Sequence, residues 1–399
     1  MMPSSAATPS ILLVLLAIIG ALGTWELAMK NGQLSLIESA LTASTPLLPG
    51  SNVPMKTHWS GIRAVDRQLT LLNTFFWPVV DGSNLAASLQ AIKFAGEFTG
   101  IWVLLEIEGF RVGNRLRLIS FTTTINLLFQ NIAIGILLPL YCALHLLTSP
   151  TVYLNPRYSS SLRQTALLVH PTELHILPYS VVIGILIPTL FAALPSPAIV
   201  SHTTHQAALV LWQLFPLWAG LSQLLLSMRL TKDTKMAYQS STERNGRVLK
   251  GLERVYGFAF AIAAVTHIAP LAISLIAAMK PDALPGKYAA YADAVHPANA
   301  FLPSRFWGHV KMVDSIGEGS LEFLKWDELV STTSILVWAC ALSWQAAAEH
   351  SIQSLAVMVA KTLLLLVFAG PVGAAILLVA ERDEAVLSAA EEAEMKKHE

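Results

Sequence analysis

Charge is what this chain lacks most. Only 13% of its 399 residues are Asp, Glu, Lys or Arg, against 54% hydrophobic, whereas a soluble domain carries about a quarter charged residues. The deficit excludes a water-facing surface over most of the molecule. The charges present cancel, 26 basic against 26 acidic, which excludes bulk attraction to nucleic acid. Cysteine is nearly absent. Cys142 and Cys340 both fall inside apolar runs, so neither a disulfide framework in loops nor a Cys/His ligand spacing can be drawn. There is no DDxxD-like run, DxDD, HExxH, Walker A, GxSxG or Rossmann glycine pattern. Metal-dependent diphosphate ionisation, nucleotide binding and hydrolase chemistry therefore have no motif behind them. Alternating ten-residue segments are missing too, which excludes a membrane barrel.

What the chain has instead is a series of apolar runs near or above the roughly 20 residues that cross a bilayer as helix. They predict an all-α, polytopic transmembrane bundle of about eight spans, near 10–29, 86–110, 118–147, 177–195, 207–228, 254–279, 329–347 and 354–380. A shorter run at 64–80 predicts a short or re-entrant helix. Residues 1–380 read as one transmembrane domain and 381–399 as a charged, solvated tail. The first run lacks the basic start of a cleavable signal and reads as a retained span. The segment 229–254, with Arg229, Lys232, Lys235, Arg244, Arg247, Lys250 and Arg254, reads as a basic loop on the cytoplasmic face. The other basic residues divide too evenly to fix orientation.

A carboxylate, Glu97, stands near the middle of the run 85–110. A charge at that depth costs about 3 kcal/mol on insertion scales, so such groups face a cavity, pair, or handle protons. Glu97, Ile101, Leu104 and Glu108 share a helical face. The two carboxylates lie about 16 Å apart along the axis, too far to work as a pair. Lys93, four residues before Glu97, offers an internal ion pair. Asp66 precedes Phe75, Phe76 and Trp77 by two to three turns. It either delivers a proton into an aromatic pocket or pairs with Arg67 in an interfacial belt. The stretch 106–117 sets Glu108, Arg111, Asn114 and Arg115 at the membrane edge, as an anion-binding fork or a positively flanked helix end. Asp327 and Glu328 read as an acidic helix start leading into the span 329–347, or as cavity groups. His267 is the best-placed proton relay among the span residues. Gln130 and Asn131 read as inter-helix hydrogen-bonding groups. Trp102, Trp212, Phe215 and other span aromatics offer π-faces to a cation or simply fill the core.

Three stretches together carry a resemblance: HWSGIRAVD (58–66), LTLLNTFFWPVVDG (69–82) and AIKFAGEFTGIWVLLEIEGFRVGNR (91–115). They resemble the integral-membrane terpene cyclases of fungal meroterpenoid pathways, most of all the group that cyclises farnesylated phenols of the ascochlorin, ascofuranone and macrophorin type. The resemblance is firmest over roughly 45–150 and continues through LWQLFPLWAG (211–220) and KWDEL (325–329). Ser60 stands where a Thr is expected. The resemblance implies an acid-initiated cyclase without metal or cofactor. Such an enzyme protonates an epoxide or terminal alkene of a lipophilic prenylated aromatic substrate drawn from among the membrane lipids. It implies Asp66, Glu97 and Glu108 as candidate acids, with Phe76, Trp77, Trp102, Arg111, Asn114, Arg115, His267 and Asp327 around the substrate. It also implies an upstream prenyltransferase and epoxidase, and the expected site is the endoplasmic reticulum membrane. The alternative is a transporter or permease using Glu97 and Lys93 as coupling charges, but no repeat between halves supports it.

Overall fold

Backbone groups that cannot reach water must bond within their own segment, which leaves helix as the form open to runs this apolar. The computed structural model describes residues 4–154, 160–230, 241–281, 286–347 and 349–398, and no β-strand occurs among them. The first helices are α1 (Ser4–Ala21), α2 (Leu27–Lys30), α3 (Gln33–Thr42), α4 (Arg63–Val80) and α5 (Leu85–Phe110). Next come α6 (Thr122–Ile132), α7 (Ile134–Thr148), α8 (Ser160–Leu167), α9 (Pro171–Val181) and α10 (Ile187–Ala192). The chain continues with α11 (His202–Trp212), α12 (Phe215–Leu230), α13 (Ser241–Met279), α14 (Pro297–Phe301), α15 (Ile316–Ala346) and α16 (Ile352–His398). π-Helical turns join α1 to α2 and α9 to α10, at Leu22–Glu26 and Val182–Leu186.

Five stretches among the described residues are long and apolar enough to cross a membrane: Ala6–Lys30, Ser161–Ala192, Thr242–Met279, Ile316–Ala346 and Ile352–Ser388. Taking α11 and α12 as one span bent by 64° gives six, so the expected count of about eight is not reached. One reason is that the run 118–147 breaks at Ala133 into α6 and α7, of 11 and 15 residues. At about 1.5 Å per residue neither reaches across a hydrocarbon core of about 30 Å. Another is that α5, although placed where the sequence puts it, is not a lipid-facing helix. Every residue from Thr99 to Glu108 is buried. Protein surrounds it, which is how it carries Lys93, Glu97, Glu106 and Glu108.

Other expectations shift as well. Helix α15 begins at Ile316, capped by Ser315, whose Oγ accepts from the Glu318 N–H at 3.1 Å. Asp327 and Glu328 therefore sit inside a helix and do not start one. Of the basic segment 229–254, Lys232 and Lys235 lie outside the described residues, while Arg244, Arg247, Lys250 and Arg254 ride on α13 itself. Helix α16 passes straight through position 380, and Arg382, Asp383, Val386 and Leu387 beyond it are buried in the bundle.

Apolar side chains that would be a liability in water coat the outside. Ile11, Leu15 and Ile18 on α1, Leu190 on α10, Leu224 and Met228 on α12, and Leu363, Val367 and Phe368 on α16 are all exposed. A surface of this kind is a contact for lipid. Between helices, where lipid and side chain are equally apolar, small residues allow close backbone approach. A Cβ on Gly20 of α1 would lie 2.2 Å from the Gly135 carbonyl oxygen of α7. Gly20→Val is expected to cost about 1–3 kcal/mol by overpacking, read as a lower unfolding midpoint in detergent. An unchanged midpoint would show that α1 and α7 are not packed this closely.

Candidate active site

Aromatic side chains from five helices enclose a cavity of about 390 Å³. Phe75 and Phe76 come from α4, Phe94 and Phe98 from α5, Trp212 from α11, Phe215 from α12 and Phe323 from α15. The rings meet edge to face: Phe75 with Phe76 at 4.9 Å, Phe75 with Phe323 at 5.3 Å and Phe76 with Trp212 at 5.0 Å between centroids. That geometry sets the positive rim of one ring against the negative face of the next. The polar lining is sparse, consisting of Gln33, Gln68, Ser88, Gln130, Asn131, Thr189 and one carboxyl, Asp327. Gln68 Nε2 donates to Asn131 Oδ1 at 3.2 Å, tying α4 to α6 beside the exposed Asn131.

Asp327 is held by backbone alone. Its Oδ1 accepts from the Gly135 N–H at 2.6 Å, and the side chain is 7% exposed. That N–H is free because of the break before it. Ala133 has φ 98 and ψ 136, a left-handed backbone that a residue with a Cβ rarely adopts. It ends α6 and starts α7 afresh, so the first amides of α7 have no helical partner. Asp327 takes up one of them. Gly135 also gives room, since a Cβ there would lie 3.0 Å from Asp327 Oδ1. No Lys, Arg or His among the described residues lies within ion-pair distance of Asp327.

The other carboxylates are already engaged, and none of them lines the cavity. Asp66, in the first turn of α4, accepts from Ser60 twice, from the backbone N–H at 2.6 Å and from the hydroxyl at 2.7 Å. These bonds hold its carboxyl below the usual carboxylate range, the Ser60 N–H contributing most. The hydroxyl of a Thr could make the same bond, so the Ser60 departure conserves the contact. Arg67, the expected partner of Asp66, turns to Glu38 at 3.2 Å instead.

Glu97 faces Lys93 at 3.3 Å, the pair read from the four-residue spacing, and His267 Nδ1 at 3.0 Å. Lys93 and Gln90 both also contact Glu328. The cluster fits against a break in α16, where Gly370 has φ 71. A Cβ there would come within 2.5 Å of His267 Nδ1 and 3.0 Å of Glu97 Oε1. Glu108 lies in a second buried network. Its Oε1 accepts from Arg111 Nε and Arg382 Nη2, both at 2.8 Å, and its Oε2 accepts from Thr151 at 2.9 Å and lies 3.1 Å from His145 Nε2. Arg111 reaches on to Asp383 at 2.5 Å, and Asn114 donates to both the backbone oxygen and Oε2 of Glu108. Arg111, Asn114 and Glu108 thus bind one another, and Arg115 beside them is exposed.

Of the expected aromatic residues, Phe76 lines the cavity. Trp102 stands one layer behind it, 5.8 Å from Phe215. Trp77 points the other way and stacks on His205 at 4.8 Å. The sequence reading missed Ala133 and Gly135, whose roles lie in the backbone, and the lining residues Phe94, Phe98 and Phe323. The density of aromatics on α4, α5 and around 212–215 was the available signal for the walls.

Comparison with known proteins was made against this geometry. The CtvD domain family matches residues 8–387. The terpene cyclase ascI of Acremonium egyptiacum is 31% identical over 370 residues, covering 91% of this chain and 89% of that protein. The terpene cyclase ctvD of Aspergillus terreus is 27% identical, covering 93% of this chain and 98% of that protein. The terpene cyclase verU1 of Penicillium polonicum is 30% identical, covering 84% of this chain and 82% of that protein. No solved structure matches. With a family match that spans nearly its whole length, this chain belongs to the CtvD domain family, in line with the resemblance of residues 58–115 to fungal membrane terpene cyclases.

Proposed function

We propose that the chain is a membrane-embedded terpene cyclase acting on a prenylated aromatic compound, a farnesylated phenol or its terminal epoxide, with Asp327 as the proton donor. The observation that carries this reading is a carboxyl without a cation partner facing an aromatic cavity inside a membrane bundle. A carboxyl that no cation neutralises is most easily accommodated in apolar surroundings as its neutral acid. In that form it has a proton to give. Asp66, Glu97 and Glu108 remain candidates by resemblance, but each is bound by its own donors or cations, away from the cavity. The relatives are named for cyclisation, which disfavours the transporter alternative.

In the proposed reaction the Asp327 O–H protonates the epoxide oxygen. The adjacent carbon–oxygen bond breaks to a hydroxyl and a tertiary cation, and an alkene of the same chain attacks that cation to form a carbon–carbon bond. Phe76, Phe323 and Trp212 present π-faces to the moving charge, and the apolar walls keep out water that would trap it. Loss of a proton from a neighbouring carbon ends the sequence. The Asp327 carboxylate is the one anion in the lining and can accept that proton. The product is an isomer of the substrate. The α7 amide at Gly135 steadies the carboxylate while it is charged. The same reading places the enzyme in the endoplasmic reticulum membrane, downstream of a prenyltransferase and an epoxidase.

The test is expression in a host without such a pathway, fed a farnesylated phenol and its terminal epoxide. A cyclised product of unchanged mass is expected from membranes carrying the chain. Recovery of both compounds unchanged would count against the proposal.

A further inference from the structure

The cavity shares one wall with a second recess. Thr189 and Ala192 of α10 and Leu209 of α11 face the cavity. On the other side of the same two helices, Ile187, Pro188, Phe191, Ala208 and Leu211 line an apolar recess of about 290 Å³. Ile187, Phe191 and Leu211 are exposed there, so the recess opens where lipid chains run. Trp212 lines both spaces. Its ring is edge-on to Phe76 at 5.0 Å and 5.8 Å from Phe215. Its Nε1 donates to Thr189 Oγ1 at 2.9 Å, and that hydroxyl donates to the Ile185 carbonyl oxygen at 2.8 Å, within the π-helical turn that precedes α10. The partition between the two spaces is thus a single indole pinned by one hydrogen bond, just ahead of the 64° bend between α11 and α12.

We infer that Trp212 is a specificity-determining residue that limits the length of prenyl chain the cavity accepts. The inference rests on the prenyl-substrate reading above. With the indole in place the cavity ends at Trp212. Without it the cavity and the outer recess are one apolar space, and the end of a longer chain lies between Pro188, Phe191 and Leu211. Thr189 is a positioning residue in this scheme, since it holds the indole across the gap.

The experiment compares the full chain in membranes on two substrates, the terminal epoxides of a farnesylated and a geranylgeranylated phenol. The native chain is expected to prefer the farnesyl substrate. Trp212→Ala is expected to shift the ratio of kcat/KM toward the longer chain by about tenfold or more, the scale on which apolar pockets discriminate by size. Thr189→Val is expected to shift it the same way by less, because it unpins the ring without removing it. Trp212→Leu is measured in parallel, in case the alanine variant does not accumulate. An unchanged ratio in whichever Trp212 variant accumulates overturns the inference. If the native chain cyclises neither substrate, the cyclase reading itself fails and this inference falls with it.

Discussion

Asp327→Asn is expected to lower the rate of cyclisation by about 10²- to 10⁴-fold, the usual worth of a positioned general acid, while leaving folding intact. The amide has nearly the size of the acid and can still accept from the Gly135 N–H that anchors Asp327 at 2.6 Å. The cavity of about 390 Å³ and its aromatic walls are therefore kept. What is lost is the acidic proton. Accumulation in membranes and the unfolding midpoint should match the native chain, so a fall in rate would report chemistry and not damage. Native-level turnover by this variant would remove Asp327 from the mechanism and return the role to Asp66, Glu97 or Glu108.

Glu108→Gln is expected to act in the opposite way, on folding first. Glu108 lies between two buried guanidinium groups, Arg111 and Arg382, each 2.8 Å from Oε1. Asp383 is the remaining anion of the group, bonded to both arginines and to Tyr256 at 2.6 Å. Removing one charge of a buried set leaves another uncompensated, which costs about 3–5 kcal/mol. That is a large share of the stability a protein of any size has to lose. The variant should accumulate poorly and unfold at a lower temperature. A Glu108→Gln chain that accumulates and unfolds like the native one, yet has lost activity, would instead mark Glu108 as part of the chemistry.

These two carboxylates also show what could be read from the sequence. Helix α5 was legible because its signals are local: an apolar run that starts behind Asn84, whose side chain accepts from the Ala87 N–H at 3.0 Å. The Lys93–Glu97 pair was legible for the same reason, being one helical turn apart. The partners of Glu108 were legible only in part. Arg111 is three residues away, but Arg382 is 274 positions along, inside what composition presents as a solvated tail. The break at Ala133 carries no Gly or Pro to announce it, so the run 118–147 looked like one span. Asp327 looked like the acidic start of a helix because charge in an apolar run usually marks an end. It sits mid-helix because the restarted α7 offers it an amide that water would otherwise supply.

Infrared difference spectroscopy of the chain in membranes, native against Asp327→Asn, tests the central claim most directly, because a donor must carry its proton before substrate arrives. At neutral pH the native chain should show the carbonyl stretch of a protonated carboxylic acid, shifted in deuterated water and absent from the variant. A native spectrum with no such band, or a band that survives the substitution, would contradict the account.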